Sequence, residues 1–146
     1  MNKIKVKAQP ANTEAVFEFV TTGLESHGAP SGTIPEILIA VEEIFLNIAQ
    51  HAYPPDQEGE ASIYISFGSE AVIRFEDSGK PFNPLEREGP NLDVPLMERE
   101  IGGLGIHFVK NLMDKVEYEY TGGKNVLTIT KSIQAQDKGV SACSRV

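Results

Sequence analysis

Three short stretches of the chain hold residue types that can do chemistry together. The first is Glu43, Asn47 and His51, spaced four apart, so that on a helix they share one face. The amide oxygen of Asn47 is a neutral, hard ligand suited to magnesium. Glu43, one turn earlier, could orient or deprotonate a nucleophile beside the same ion, and Glu42 lies one step round the helix. The second stretch is Asp77-Ser78-Gly79-Lys80-Pro81-Phe82. A carboxylate at a strand end, facing a cleft, accepts hydrogen bonds from an exocyclic amine such as that of adenine, and Gly79 lets backbone come close to a base. The third is Ile101-Gly102-Gly103-Leu104-Gly105-Ile106, glycines that open a helix and let backbone N–H groups converge on phosphates at its positive end. No Gly-Lys-Ser/Thr follows them, which excludes a P-loop, and their spacing is not that of a dinucleotide fingerprint. Each stretch alone also has a plain meaning: a solvated helix face, an ordinary turn, or close packing at a helix start.

The elements that must position these residues follow from periodicity. Lys3 to Lys7 alternate polar and apolar, the period of a half-buried strand. Val16, Phe17, Val20 and Leu24 recur at helical spacing from Thr13 to His27, and Gly28 and Pro30 then break the chain. The next helix is expected to open on a capping box, Thr33 to Glu36, with Pro35 near its first turn. It runs to about Tyr53, where Pro54-Pro55 stops it, and its apolar stripe is Ile37, Leu38, Val41, Ile44, Phe45, Ile48 and Ala52. Residues 61–67 and 71–76 read as a hairpin turning at Gly68-Ser69 and ending at Asp77. Residues 78–102 have little periodicity and carry Gly79, Pro81, Pro84, Gly89, Pro90 and Pro95, which suggests a functional lid or disorder. A helix follows the glycines, to about Met113, and Lys115–Tyr120 and Asn125–Lys131 form a second hairpin. The order β-α-α-β-β-lid-α-β-β predicts an α/β fold: a two-layer sandwich with a mixed, mostly antiparallel sheet and helices on one face. One domain is expected over residues 1–133, with a polar tail at 134–146.

Bulk composition narrows the function classes. A chain of 146 residues suits one core. Thirteen basic against 21 acidic residues leave a net charge of −8, which argues against gripping nucleic acid or an anionic membrane. No apolar window is long enough to span a bilayer, and the start of the chain has no signal-peptide pattern. Cys143, the single cysteine, can form neither an internal disulfide nor a cysteine metal cluster. The cytoplasm is the expected address.

Taken together and in this order, the motifs resemble those of the ATPase-like domain family shared by sensor histidine kinases, gyrase B and MutL-type proteins. Within it, the chain looks most like the small bacterial anti-sigma factors that are also serine/threonine protein kinases. The resemblance rests on AVEEIFLNIAQHAY, FEDSGKPFNP and GGLGIHFVKNLMDKVEYEY, and spans about Thr13 to Lys131. It implies an ATP site with Mg2+. Glu43 would be the general base toward a protein serine and Asn47 the magnesium ligand. His51 would be a pocket residue, Asp77 the partner of the adenine amine, and Gly79 the glycine beside it. Gly103, Leu104 and Gly105 would form the phosphate-lining end of an ATP lid at 84–101. These anti-sigma factors often carry an arginine just before the glycine box. Here Ile101 holds that position, and Arg99 is the candidate cation, with Lys80 and Lys110 behind it. The implied partners are an antagonist-like protein substrate and, beyond it, a sigma factor, with a homodimer as a further expectation. The alternative is a nucleotide-dependent protein-binding regulator with little or no phosphotransfer.

Overall fold

The computed structural model describes residues 2–86 and 103–133. Strand β1 (Asn2–Lys7) leads through a single 3-10 turn at Pro10–Asn12 into helix α1 (Thr13–Ser26), which buries Val16, Val20 and Leu24. The helix ends in a Schellman closure: Gly28 N–H bonds to Glu25 O and Ala29 N–H to Leu24 O, at 3.1 and 3.0 Å. Gly28 takes the left-handed φ of 80° that this closure requires.

Helix α2 (Thr33–His51) buries Ile37, Ala40, Val41, Ile44, Phe45 and Ile48, while Leu38 and Ala52 are only partly covered. The expected capping box does not form. Gly32 is the N-cap, without a side-chain cap, and Thr33 is already helical. The cause is local: Thr33 N–H bonds to Pro30 O at 3.0 Å, so the turn at Pro30 delivers the chain one residue further into the helix. Glu36 instead faces Lys131, at 3.7 Å. The helix stops at His51, two residues before the expected Tyr53. Tyr53 is used elsewhere: its hydroxyl donates to Glu60 O (2.6 Å) and accepts from Ser78 N–H (2.9 Å).

Strands β2 (Glu60–Phe67) and β3 (Glu70–Asp77) form the first hairpin. Helix α3 (Gly103–Leu112) precedes the second, β4 (Lys115–Thr121) and β5 (Lys124–Ser132). Gly122 and Gly123 turn it with φ of 61° and 76°, the two positive values that a tight type I′ turn demands.

The sheet order is β1-β2-β3-β5-β4, and every bonded pair is antiparallel. This corrects the expectation of a mixed sheet. The crossover through α3 does set β3 and β4 parallel, but β5 folds back between them, so no parallel pair is hydrogen-bonded. The helices lie on one face, as expected. Residues Ile63, Phe75 and Leu127 form one core-facing row across the register, and Ile65, Ile73 and Ile129 the next. Burying Phe45 and Phe75, both at most 1% exposed, contributes roughly 3 kcal/mol each. The opposite face is mostly polar, with the Arg74 guanidinium 4.3 Å over the Tyr64 ring. Among the described residues, no helix is long and apolar enough to cross a membrane.

Candidate functional site

The core-facing rows of the sheet are apolar except at one end. There Asp77 closes β3 opposite Asn125 of β5, on the same face as Phe75 and Leu127. Both polar side chains are 7% exposed, so each needs partners. One carboxylate oxygen of Asp77, Oδ1, accepts from Gly79 N–H and from Asn125 Nδ2, both at 2.9 Å. Among the described residues no donor is paired with Oδ2. Burial pushes the Asp77 carboxyl above the usual aspartate range, against the opposing pull of the hydrogen bonds from Asn125 and Gly79.

Asn125 is a hub. Its Nδ2 also donates to Lys80 O at 2.9 Å and reaches Gly79 O at 3.4 Å. Its Oδ1 accepts from Phe82 N–H at 3.1 Å and from the Tyr118 hydroxyl. This arrangement holds the segment after β3 against β5 and brings it across the sheet's end.

Between that segment, the sheet and α2 lies a pocket. Ile44, Ile48, Phe75, Ile106 and Leu127 supply apolar lining, and Asn47, His51, Asp77, Lys80, Tyr118 and Asn125 the polar groups. It holds about 500 Å³ of atom-free space out to its open mouth. A flat heterocycle fits the chemistry of such a slot: apolar walls and one buried carboxylate with an oxygen to spare. Phe82 and Pro84 also line the pocket.

The sequence-derived residues do not all meet in one place. Asn47, His51 and Asp77 meet in this pocket, with Asn47 half-buried and His51 exposed. Glu43 is half-buried one turn before Asn47 and does not line the pocket. Its carboxyl is held above the usual range by burial first and by the neighbouring Glu42 second. Gly79 packs against the end of α2. A Cβ there would stand 2.2 Å from Ala52 O, and Lys80 N–H bonds to that same oxygen at 3.2 Å. Its lack of a side chain is thus demanded by α2 itself. Gly103, Leu104 and Gly105 form the first turn of α3, so the helix begins at Gly103 rather than after Gly105. Ile106, the next residue, lines the pocket, which sets that turn beside it. Arg99 and the rest of the expected lid from residue 87 lie outside the described residues.

A magnesium ion would find one neutral oxygen here, at Asn47. Among the described residues, no group of three or more His, Cys, Asp or Glu could hold a metal. That donor set suits an ion arriving with phosphates and water as its other ligands.

Sequence reasoning missed Asn125 and Tyr118. A signal existed, since Asn125 has the parity of Leu127 and Ile129 and so occupies a core-facing position with a polar group. Its partner Asp77 is 48 residues away, however, and no local pattern joins them.

Comparison with known proteins agrees with this fold. A family model described as the histidine kinase-like ATPase domain matches residues 6–131. The chain belongs to that family. Among members of the histidine kinase-like ATPase family, it is 31% identical over 141 residues to the serine-protein kinase RsbW of Bacillus thuringiensis (strain Al Hakam), covering 92% of this chain and 87% of that one. It is 33% identical over 107 residues to RsbW of Listeria monocytogenes serovar 1/2a, covering 68% and 66%. The chain is therefore an RsbW-like member of the family. Solved structures share the fold. One holds the RsbU and RsbW domains of a Mycobacterium tuberculosis protein (TM-score 0.63, 14% identity), covering 97% of this chain but only 35% of that one. Another is the histidine kinase domain of a blue-light-activated kinase from Erythrobacter litoralis EL346 (TM-score 0.51, 18% identity), covering 88% and 62%.

Proposed function

We propose that this RsbW-like protein is an ATP- and magnesium-dependent serine/threonine protein kinase of the anti-sigma-factor type, acting on a serine of a small antagonist-like partner. The observation that carries the reading is the meeting of Asn47 and Asp77 in one pocket, with Glu43 one helical turn from Asn47 but outside the pocket lining. In this reading, nucleotide binds at the pocket and Glu43 serves as a base toward a second molecule.

In this reading Oδ2 of Asp77 accepts from the adenine amine while Ile44, Ile48, Phe75 and Leu127 cover the ring. Asn47 would hold Mg2+, which when bound neutralises charge on the phosphates. The N–H groups of the first turn of α3 have no partners within the helix and suit a phosphate. Glu43 takes the proton of the substrate hydroxyl. As the serine Oγ–phosphorus bond forms, the bond from the γ-phosphorus to the bridging oxygen breaks, and ADP leaves. The raised affinity of Glu43 for a proton suits a general base working near neutrality. Arg99 is proposed as the cation for the transferring group on sequence grounds. A sigma factor as second partner and a homodimer belong to the same proposal.

One observation favours a second reading, a nucleotide-dependent regulator that transfers little or no phosphate: Ile101 directly precedes the glycine box. The deciding experiment is transfer of labelled γ-phosphate from ATP, with Mg2+, to candidate antagonist domains, beside Glu43→Gln and Asn47→Ala proteins and an ATP titration. Label on a partner serine, lost in Glu43→Gln while nucleotide still binds, supports the kinase. Tight binding without transfer supports the regulator, and a folded protein that binds no ATP refutes both.

A further inference from the structure

Two polar side chains of the pocket, Asn125 and Tyr118, have no part in the chemistry above. We infer that Asn125, steadied by the Tyr118 hydroxyl, is the positioning residue that gives Asp77 its selectivity for an adenine base. The inference rests on the proposed nucleotide reading and extends it to two residues of β4 and β5.

A primary amide has two donors and an acceptor oxygen with two lone pairs. In Asn125 the donors go to Asp77 Oδ1 and to the Lys80 carbonyl, and the acceptor takes Phe82 N–H and the Tyr118 hydroxyl. Nothing is left with which to contact a ligand directly. Its effect is on Asp77. With Asn125 Nδ2 and Gly79 N–H both aimed at Oδ1, that oxygen is occupied and the carboxylate plane is fixed. Only Oδ2 is then offered to an incoming amine, in one direction. With Gly79 alone, the carboxylate can turn about its Cβ–Cγ bond, and water can take the vacated position. Tyr118 reaches Asn125 from the neighbouring strand and keeps the amide from flipping, since its hydroxyl donates to the oxygen and not to the nitrogen. The same amide ties down Lys80 and Phe82, so the oriented carboxylate and the pocket wall beside it are set by one group.

A merely structural role would weaken binding of every nucleotide alike. A positioning role changes the ratio between bases. The test compares dissociation constants for ATP and for purine riboside triphosphate, in which a hydrogen replaces the adenine amine, in wild type, Asn125→Ala and Tyr118→Phe, each checked for folding by thermal melt. Wild type is expected to prefer ATP by about tenfold or more, as for one hydrogen bond to a charged group. Asn125→Ala is expected to bring the preference within about threefold, over and above any weakening that loosening the Lys80–Phe82 segment imposes on both nucleotides alike. Tyr118→Phe, which removes a single hydroxyl, is expected to lower it about threefold, and it serves alone if Asn125→Ala does not fold. An unchanged ratio in the folded variants, or equal weakening of both nucleotides, overturns the inference and leaves the adenine contact standing. A wild-type protein that binds ATP without preferring it removes the adenine contact of Asp77, and this inference falls with it.

Discussion

Replacing Asp77 by Asn separates what the residue does for the fold from what it does for a ligand. The two side chains have the same shape. An asparagine oxygen placed where Oδ1 now lies accepts the same hydrogen bonds from Gly79 N–H and Asn125 Nδ2, and its NH2 takes the place of Oδ2. The fold therefore keeps its bonds and loses a buried charge. The sign follows from the direction of the shift. Burial raises the carboxyl above its ordinary value, so the folded state binds its proton more tightly than the unfolded one. Asp77 thus costs nothing below the unfolded value, and its penalty grows as pH rises through the folded value. Asp77→Asn should melt at or above the wild-type temperature at neutral pH. Its advantage should shrink as pH falls toward about 4, where an unfolded aspartate titrates. Nucleotide binding should move the other way. The variant presents a donor to the adenine amine where the wild type presents a charged acceptor. Losing that bond costs about 1.5–3 kcal/mol, or roughly 10- to 150-fold in affinity for ATP. Melting curves at both pH values and a calorimetric titration at neutral pH decide it. A variant destabilised at neutral pH would show that the ionised carboxylate supports the fold. A variant that binds ATP as wild type does would refute Asp77 as the amine's partner.

Other expectations follow from particular contacts. Gly79→Ala drives a Cβ into Ala52 O and disturbs the Lys80 N–H bond to it. The cost is about 2–4 kcal/mol, a fall in Tm of roughly 5–15 °C, whereas Gly68→Ala, with open space around it, should melt within about 2 °C of wild type. Phe75→Ala opens a cavity in the central row of the sheet and should cost about 3–5 kcal/mol in chemical denaturation. Glu43→Gln should lower phosphate transfer by about 10²- to 10⁴-fold while leaving ATP affinity within about threefold. In the wild type, the acid limb of the transfer rate should lie above the usual glutamate range, because the base must be ionised and Glu43 holds its proton too well; a limb at the ordinary value would show that Glu43 is not that base.

Much of the scaffold was legible in the chain because local physics encodes it. The three-and-four spacing from Ile37 to Ile48 predicts the helix and its buried face together. That face also puts Asn47 and His51 beside it, at the edge of a pocket. Alternation through β2 and β3 predicts the hairpin, and Asp77 is visible as its last residue. The failures arise where a second element intervenes. Thr33 has the look of a helix cap, yet the turn from Pro30 makes it helical. Gly79 suggests close approach to a ligand, and the structure shows the end of α2 in that space.

By itself, then, the sequence determined the period of each element, where most of them stop, and which side chains could bind a metal or an amine. Those properties depend on neighbours within a few residues. The tertiary structure decided which strand lies beside which. By folding β5 between β3 and β4 it made the sheet wholly antiparallel and set Asn125 against Asp77. It also closed the Lys80–Phe82 segment over the same end of the sheet. These are contacts across 40 residues or more, set by how the whole core buries its apolar rows at once, and no local pattern can specify them.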